Sequence, residues 1–181
     1  GVDGIDVDAA TEHGVQITNA NDSNSTSVAE YAICMLLMMA KHMETYVEGT
    51  KAGKKDDVRK VYGNDVRGKT LGLVGWGKIG KKVVDIASKG LGMKVIAYNR
   101  HITENKEEEF GYLTPNMKEL FANADFISLH LPGSAATHHM INAELIGLMK
   151  PTAYLINCGR AEVVDEAALI EALKNHKIQG A

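Results

Sequence analysis

The densest chemical signal in the chain is Gly75-Trp76-Gly77-Lys78-Ile79-Gly80. It sits directly behind the apolar run Thr70-Leu71-Gly72-Leu73-Val74 and directly ahead of Lys81-Lys82-Val83-Val84-Asp85-Ile86-Ala87. A strand, a glycine-rich turn and a helix in that order make an anion site. The first glycine permits a tight turn, the second lets a pyrophosphate approach bare backbone, and the third lets helix and strand pack closely. The helix mouth aims N–H groups and partial positive charge at the phosphates. Glycine is common here, 18 of 181 residues, so the pattern alone is weak. Its context makes it stronger, because a second apolar run, Met93-Lys94-Val95-Ile96-Ala97-Tyr98, follows at the distance a βαβ unit requires. The ligand expected between residues 75 and 80 is a dinucleotide.

Such a turn works only if a sheet holds it. From Lys69 onward strand-like and helix-like runs alternate. A polar run reaches Glu107-Glu108-Glu109, expected as a solvated face, and a short strand follows near Tyr112-Leu113. Helix 117–122, strand 125–129, helix 143–149, strand 153–157 and helix 166–175 come next, and residues 177–181 open a further strand. Alternation of this kind implies an α/β fold with a doubly wound parallel sheet and right-handed crossovers. Ligands then lie outside the carboxyl ends of the strands. Four places matter: Gly75 to Gly80, Asn99-Arg100, His130-Leu131-Pro132 and Cys158-Gly159-Arg160. The second decides the coenzyme. A carboxylate there would bond the adenosine ribose and repel a 2′-phosphate, but this chain has Asn99 followed by Arg100. Asn can still bond a ribose hydroxyl and Arg100 can pair with a phosphate, so NAD with NADP left open is the expectation. A solvated surface arginine is the alternative for Arg100.

The segment before the sheet reads as a helix from Ile5 to His13, a stop at Gly14, a strand Val15-Gln16-Ile17-Thr18 and a polar loop 19–26. Ser27 with Glu30 forms a capping-box pattern for a helix over 28–48. That helix is apolar at nearly every position through Ala40, which implies burial on several sides and contact with a second subunit or domain. A homodimer through helix 28–48 is expected. The composition, 45% apolar and 24% charged with a net charge of −3, describes a globular protein without the basic surface that nucleic acid or anionic membrane would need. The longest apolar run, 32–40, is too short to span a bilayer, and no signal-peptide pattern opens the chain. Cys34 and Cys158 lie in apolar segments and are expected as buried free thiols in a cytoplasmic setting. No Cys/His cluster has metal-ligand spacing, so no metal is expected.

With these positions in place, the chain resembles, over essentially its whole length, the nucleotide-binding domain of the D-isomer-specific 2-hydroxyacid dehydrogenases. The likeness is carried by Gly1-Val2-Asp3-Gly4-Ile5-Asp6, Asn24-Ser25-Thr26-Ser27-Val28-Ala29-Glu30, Gly68-Lys69-Thr70-Leu71-Gly72 and the glycine turn. Ser128-Leu129-His130-Leu131-Pro132 and Ile156-Asn157-Cys158-Gly159-Arg160-Ala161-Glu162-Val163-Val164-Asp165 complete it. The resemblance implies a Rossmann domain over 21–181 preceded by a remnant of a flavodoxin-like substrate domain over 1–20. It implies hydride transfer between NAD(P) and a D-2-hydroxy acid, of the 3-phosphoglycerate or hydroxypyruvate/glyoxylate class. It makes Arg160 the catalytic arginine that grips the substrate carboxylate and polarises its carbonyl. It sets Lys78 and Ile79 over the pyrophosphate, Asn99 at the ribose, Leu131 and Pro132 on the adenine side, and Cys158 and Gly159 beside the nicotinamide.

Departures from the family pattern are Lys78, where arginine is usual, and Ala161, where glycine is usual and a stiffer loop is expected. The family's acid/base glutamate and histidine lie beyond Gly180-Ala181. His130 is expected to be structural, and His138 and His139 to be loop residues. The chain as given is therefore expected to bind dinucleotide and turn over little, since acid/base assistance is worth roughly 10²–10⁴-fold. The alternative is a non-catalytic NAD(H)-sensing module of the family's corepressor type, though the chain carries no added peptide-binding segment. An indole of Trp76 plugging the crevice would defeat the whole reading.

Overall fold

The computed structural model describes residues 4–20 and 22–181. Gly1-Val2-Asp3 of the first motif and Asn21 of the polar loop lie outside the described residues. Helix α1 (Val7–Glu12) starts at Asp6, whose carboxylate accepts the Ala9 N–H at 2.9 Å, and it buries no side chain. The strand expected over Val15–Thr18 does not form. Strand residues need a neighbouring ladder, and Val15 stands 59% exposed with no sheet beside it.

Helix α2 (Ser25–Ala40) begins earlier than the capping-box pattern suggests, with Asn24 as its cap residue and Ser27 already inside the first turn. It ends at Ala40, short of the expected continuation to 48. The Asn64 N–H, 2.7 Å away, takes the Ala40 carbonyl that a continuing helix would offer to residue 44. His42 then turns the chain in a left-handed conformation (φ 51°, ψ 40°), and α3 (Met43–Lys51) restarts. Within the chain α2 is buried on one face only, through Ala29, Ala32, Ile33, Leu36 and Ala40 at helical spacing. Cys34 falls on the opposite face and is exposed, and Cys158 is half-buried, so neither is the fully buried thiol expected.

A single turn, α4 (Lys55–Val58), lies between α3 and the sheet. The sheet follows: β1 (Thr70–Val74), α5 (Lys78–Asp85) running into a π-helical turn at 86–90, β2 (Lys94–Tyr98), β3 (Lys106–Glu108) and β4 (Gly111–Thr114). Then come α6 (Met117–Asn123), β5 (Phe126–Leu129), α7 (Ala143–Leu148), β6 (Tyr154–Asn157), a 3-10 turn at 161–163 and α8 (Glu166–Lys174). The spatial order is β3-β4-β2-β1-β5-β6, parallel throughout except for β3. The polar run expected as solvated surface thus supplies an antiparallel edge strand whose charged side chains suit an edge. Residues 177–181 make a parallel bridge, Gly180 to Tyr154, rather than a strand.

Alternation along β1 divides the core. Leu71 and Leu73 pack with Val95, Ala97 and the inner faces of α2 and α5. Val74, Ile96, Ile127 and Leu129 pack with Leu120, Phe121, Leu145 and Ile146 on the other side. The chain winds outward through β1, β2 and β4, then reverses into β5 and β6. The order of winding therefore reverses between β1 and β5, and in such sheets ligands lie outside the carboxyl ends of the strands at that switch point. Among the described residues no helix is long and apolar enough to cross a membrane.

Candidate coenzyme site

The three glycines of the turn meet three different demands. Gly75 has φ +114°, and a Cβ there would lie 2.6 Å from the His130 carbonyl oxygen on the neighbouring strand end. A Cβ on Gly80 would stand 2.2 Å from the Gly75 oxygen and 2.9 Å from Leu73 Cδ2, so only glycine lets α5 approach β1 this closely. Gly77 differs: its backbone is extended (φ −93°, ψ −168°) and a Cβ would meet nothing within 4 Å. Bare backbone there faces open space. No side chain caps α5, whose first N–H groups have no partner within the helix. The turn therefore fits a diphosphate. The Trp76 indole packs on Phe110, with centroids 5.3 Å apart, and joins the core on the α2–α5 side of the sheet. Lys81 Nζ lies 5.7 Å from the indole centroid. Lys78 Nζ lies 3.8 Å from Asp22, and Lys82 Nζ donates to Thr26 Oγ1 at 3.1 Å.

At the end of β2 the Asn99 N–H donates to the Thr114 carbonyl at 2.9 Å, and Asn99 Oδ1 accepts the His101 N–H at 3.0 Å. This local turn fixes the strand end and leaves Arg100 exposed, its Nε 3.4 Å from His101 Nε2.

The loops after β5 and β6 are braced against each other. The His130 N–H donates to the Val74 carbonyl at 2.8 Å, and its Nε2 pairs with the buried Ser128 hydroxyl at 2.8 Å. His130 Nδ1 is buried without a hydrogen-bond partner, and burial pulls the imidazole pKa down to about 4. A neutral structural imidazole agrees with the sequence reading. Thr137 donates to the Pro132 carbonyl at 2.7 Å and holds the turn after Leu131-Pro132. A Cβ on Gly159 would lie 2.7 Å from the Leu131 oxygen, so these two loops touch through backbone.

Asn157 then closes its own turn: Oδ1 accepts the Gly159 N–H at 2.9 Å, and Nδ2 donates to the Arg160 carbonyl at 3.0 Å. Arg160 is exposed, with its Cγ 3.1 Å from where a Gly133 Cβ would be. Ala161 starts the 3-10 turn and is not among the non-glycine residues of positive φ, so the alanine imposes no backbone strain. Burial pushes the Cys158 thiol pKa up. A cavity of about 440 Å³ borders this loop on the outer side of β6, lined by Asn157, Ala161, Glu162 and His139 among others. It lies apart from the glycine turn.

Every predicted site residue thus sits at a carboxyl end of the sheet: Gly75 to Gly80 after β1, Asn99 and Arg100 after β2, Leu131 and Pro132 after β5, and Cys158 to Arg160 after β6. His138 and His139 stack on each other in the exposed loop beyond β5, with centroids 4.0 Å apart. Asn157 and Asp22 were not singled out from the sequence. The Asn-x-Gly order at 157–159 is a local turn signal, whereas Asp22 meets Lys78 across 56 residues with no local signal. Among the described residues no group of three or more His, Cys, Asp or Glu could hold a metal.

A doubly wound sheet with an uncapped glycine turn at its switch point defines a dinucleotide-binding domain. Residues 33–181 match the family model for the D-isomer specific 2-hydroxyacid dehydrogenase NAD binding domain, and the chain belongs to that family. It is 40% identical over 181 residues to a D-3-phosphoglycerate dehydrogenase of Synechocystis sp., covering 100% of this chain and 32% of that protein. It is 40% identical over 187 residues to a glyoxylate reductase of Thermococcus litoralis, covering 100% of this chain and 56% of that protein. The structure of an Aquifex aeolicus D-lactate dehydrogenase complexed with NAD and lactic acid superposes with a TM-score of 0.85 at 35% identity, over 98% of this chain and 53% of that one. The chain thus spans about a third to a half of the relatives it matches.

Proposed function

We propose that this chain is the coenzyme-holding part of an oxidoreductase that moves hydride between NAD(P) and a D-2-hydroxy acid of the phosphoglycerate or hydroxypyruvate/glyoxylate class. The observation that carries the reading is Gly77, where open space lies in front of bare backbone at an uncapped helix mouth. The backbone of 75–80 and Lys78 hold the pyrophosphate, Asn99 and Arg100 meet the adenosine ribose, and Leu131-Pro132 and Cys158-Gly159 form the walls. The coenzyme, when bound, supplies or accepts the hydride. Arg160 grips the substrate carboxylate with its planar fork and draws electron density from the adjacent carbonyl. Asn157 holds the turn that presents it.

Selectivity between the coenzymes is relaxed, because Asn99 offers no carboxylate to repel a 2′-phosphate and Arg100 is exposed beside it. Residues 4–20 contribute no buried side chain, which supports their assignment to a neighbouring substrate unit. The second face of α2 supports a homodimer: Tyr31 is 60% and Met38 41% exposed there. A cytoplasmic setting goes with this reading. The test is titration with NADH and NADPH: binding of both, with affinities within about tenfold (~1.4 kcal/mol), is expected. Binding of neither would end the proposal, and a strong preference for NADH would remove the role given to Arg100.

A further inference from the structure

The three lysines at the start of α5 are already engaged. Lys81 lies over Trp76, Lys82 donates to Thr26, and Lys78, the cation within the glycine turn, faces Asp22 at 3.8 Å. The Asp22 carboxyl is held below the usual carboxylate range by its hydrogen bond to Ser25, aided by Lys78 and Lys82. Ser25 is the buried first residue of α2. Asp22, just ahead of α2, and Thr26, in its first turn, are thus both tied to α5.

We propose that Asp22 is an internal competitor of the coenzyme's diphosphate for Lys78, so that filling the glycine turn and releasing Asp22 from α5 are coupled. The proposal rests on the coenzyme reading given above. A diphosphate arriving at the α5 mouth brings negative charge toward Asp22 and offers Lys78 a more highly charged partner. Lys78 turns to the phosphates, and Asp22 loses its nearest cation. Coupling of this kind is reciprocal: if the coenzyme displaces Asp22, removal of the Asp22 charge must strengthen coenzyme binding. Both side chains are more than half exposed, at 62% and 54%, so the effect is modest and screened by salt.

The experiment is NADH titration of the 181-residue chain at low and high salt, with Asp22→Asn, Lys78→Gln and the double variant. Asp65→Asn serves as the charge control, because Asp65 pairs with Lys41 at 2.8 Å at the far end of α2. Asp22→Asn should tighten NADH binding by about two- to fivefold at low salt, less at high salt, with Asp65→Asn unchanged. In the Lys78→Gln background most of that gain should vanish. Unchanged or weaker binding by Asp22→Asn overturns the proposal. An equal gain with and without Lys78 also overturns it, since Asp22 would then act only by direct repulsion. If the wild-type chain binds no NADH, the coenzyme reading itself fails and takes this inference with it.

Discussion

Gly77 and Gly80 are both glycines of one turn, yet their neighbours make opposite demands. A methyl group on Gly80 would collide with the Gly75 carbonyl, so Gly80→Ala should destabilise the fold by about 1–3 kcal/mol in urea melts. Gly77 has an ordinary extended backbone and open space ahead, so Gly77→Ala should leave the melt within about 0.5 kcal/mol. It should nevertheless lower NADH affinity at least about tenfold (~1.4 kcal/mol), because the methyl group occupies the place of the diphosphate. Equal effects of both variants on stability would contradict these assignments. His130 makes a pH prediction at the same scale. Its folded pKa is about 4 against about 6.5 when unfolded, so the unfolded chain binds the extra proton first. Stability is therefore complete above about pH 6.5 and is lost as pH falls toward about 4, by up to about 3 kcal/mol. Urea midpoints measured across that window should drop less steeply in His130→Gln.

At the scale of elements, the break between α2 and α3 shows what one sequence pattern can and cannot give. The apolar run of α2 was legible because it is local. The stop at Ala40 was not, because it comes from Asn64, a partner 24 residues away that takes the helix's next carbonyl. The strand expected at Val15–Thr18 failed for a similar reason: local β propensity forms no strand without a ladder to join. β3 shows the converse, a charged run made into a strand by its hydrogen bonds to β4. The outer face of α2, with Tyr31 and Met38, should bury itself between two copies of the chain. Sedimentation should find a dimer for the wild type and a monomer for Tyr31→Glu/Met38→Glu. A wild-type monomer would show that the face serves some other contact.

At the scale of the whole molecule, the glycine pattern, the alternation of strands and helices and the strand-end residues all point to the carboxyl end of one sheet. The winding reverses between β1 and β5 at that end, and the spacing of the apolar runs was enough to anticipate a doubly wound sheet. The ties between distant loops were not legible, since Gly159 against Leu131 and Lys78 against Asp22 depend on three-dimensional approach. The decisive question is whether the backbone from 75 to 80 holds a diphosphate. The most direct measurement is an amide NMR titration of the chain with NADH. Saturable shifts largest at Trp76 to Gly80, with smaller ones at Asn99, Leu131 and Cys158, are predicted. NADH binding that leaves residues 76–80 unmoved, or no binding at all, would contradict it.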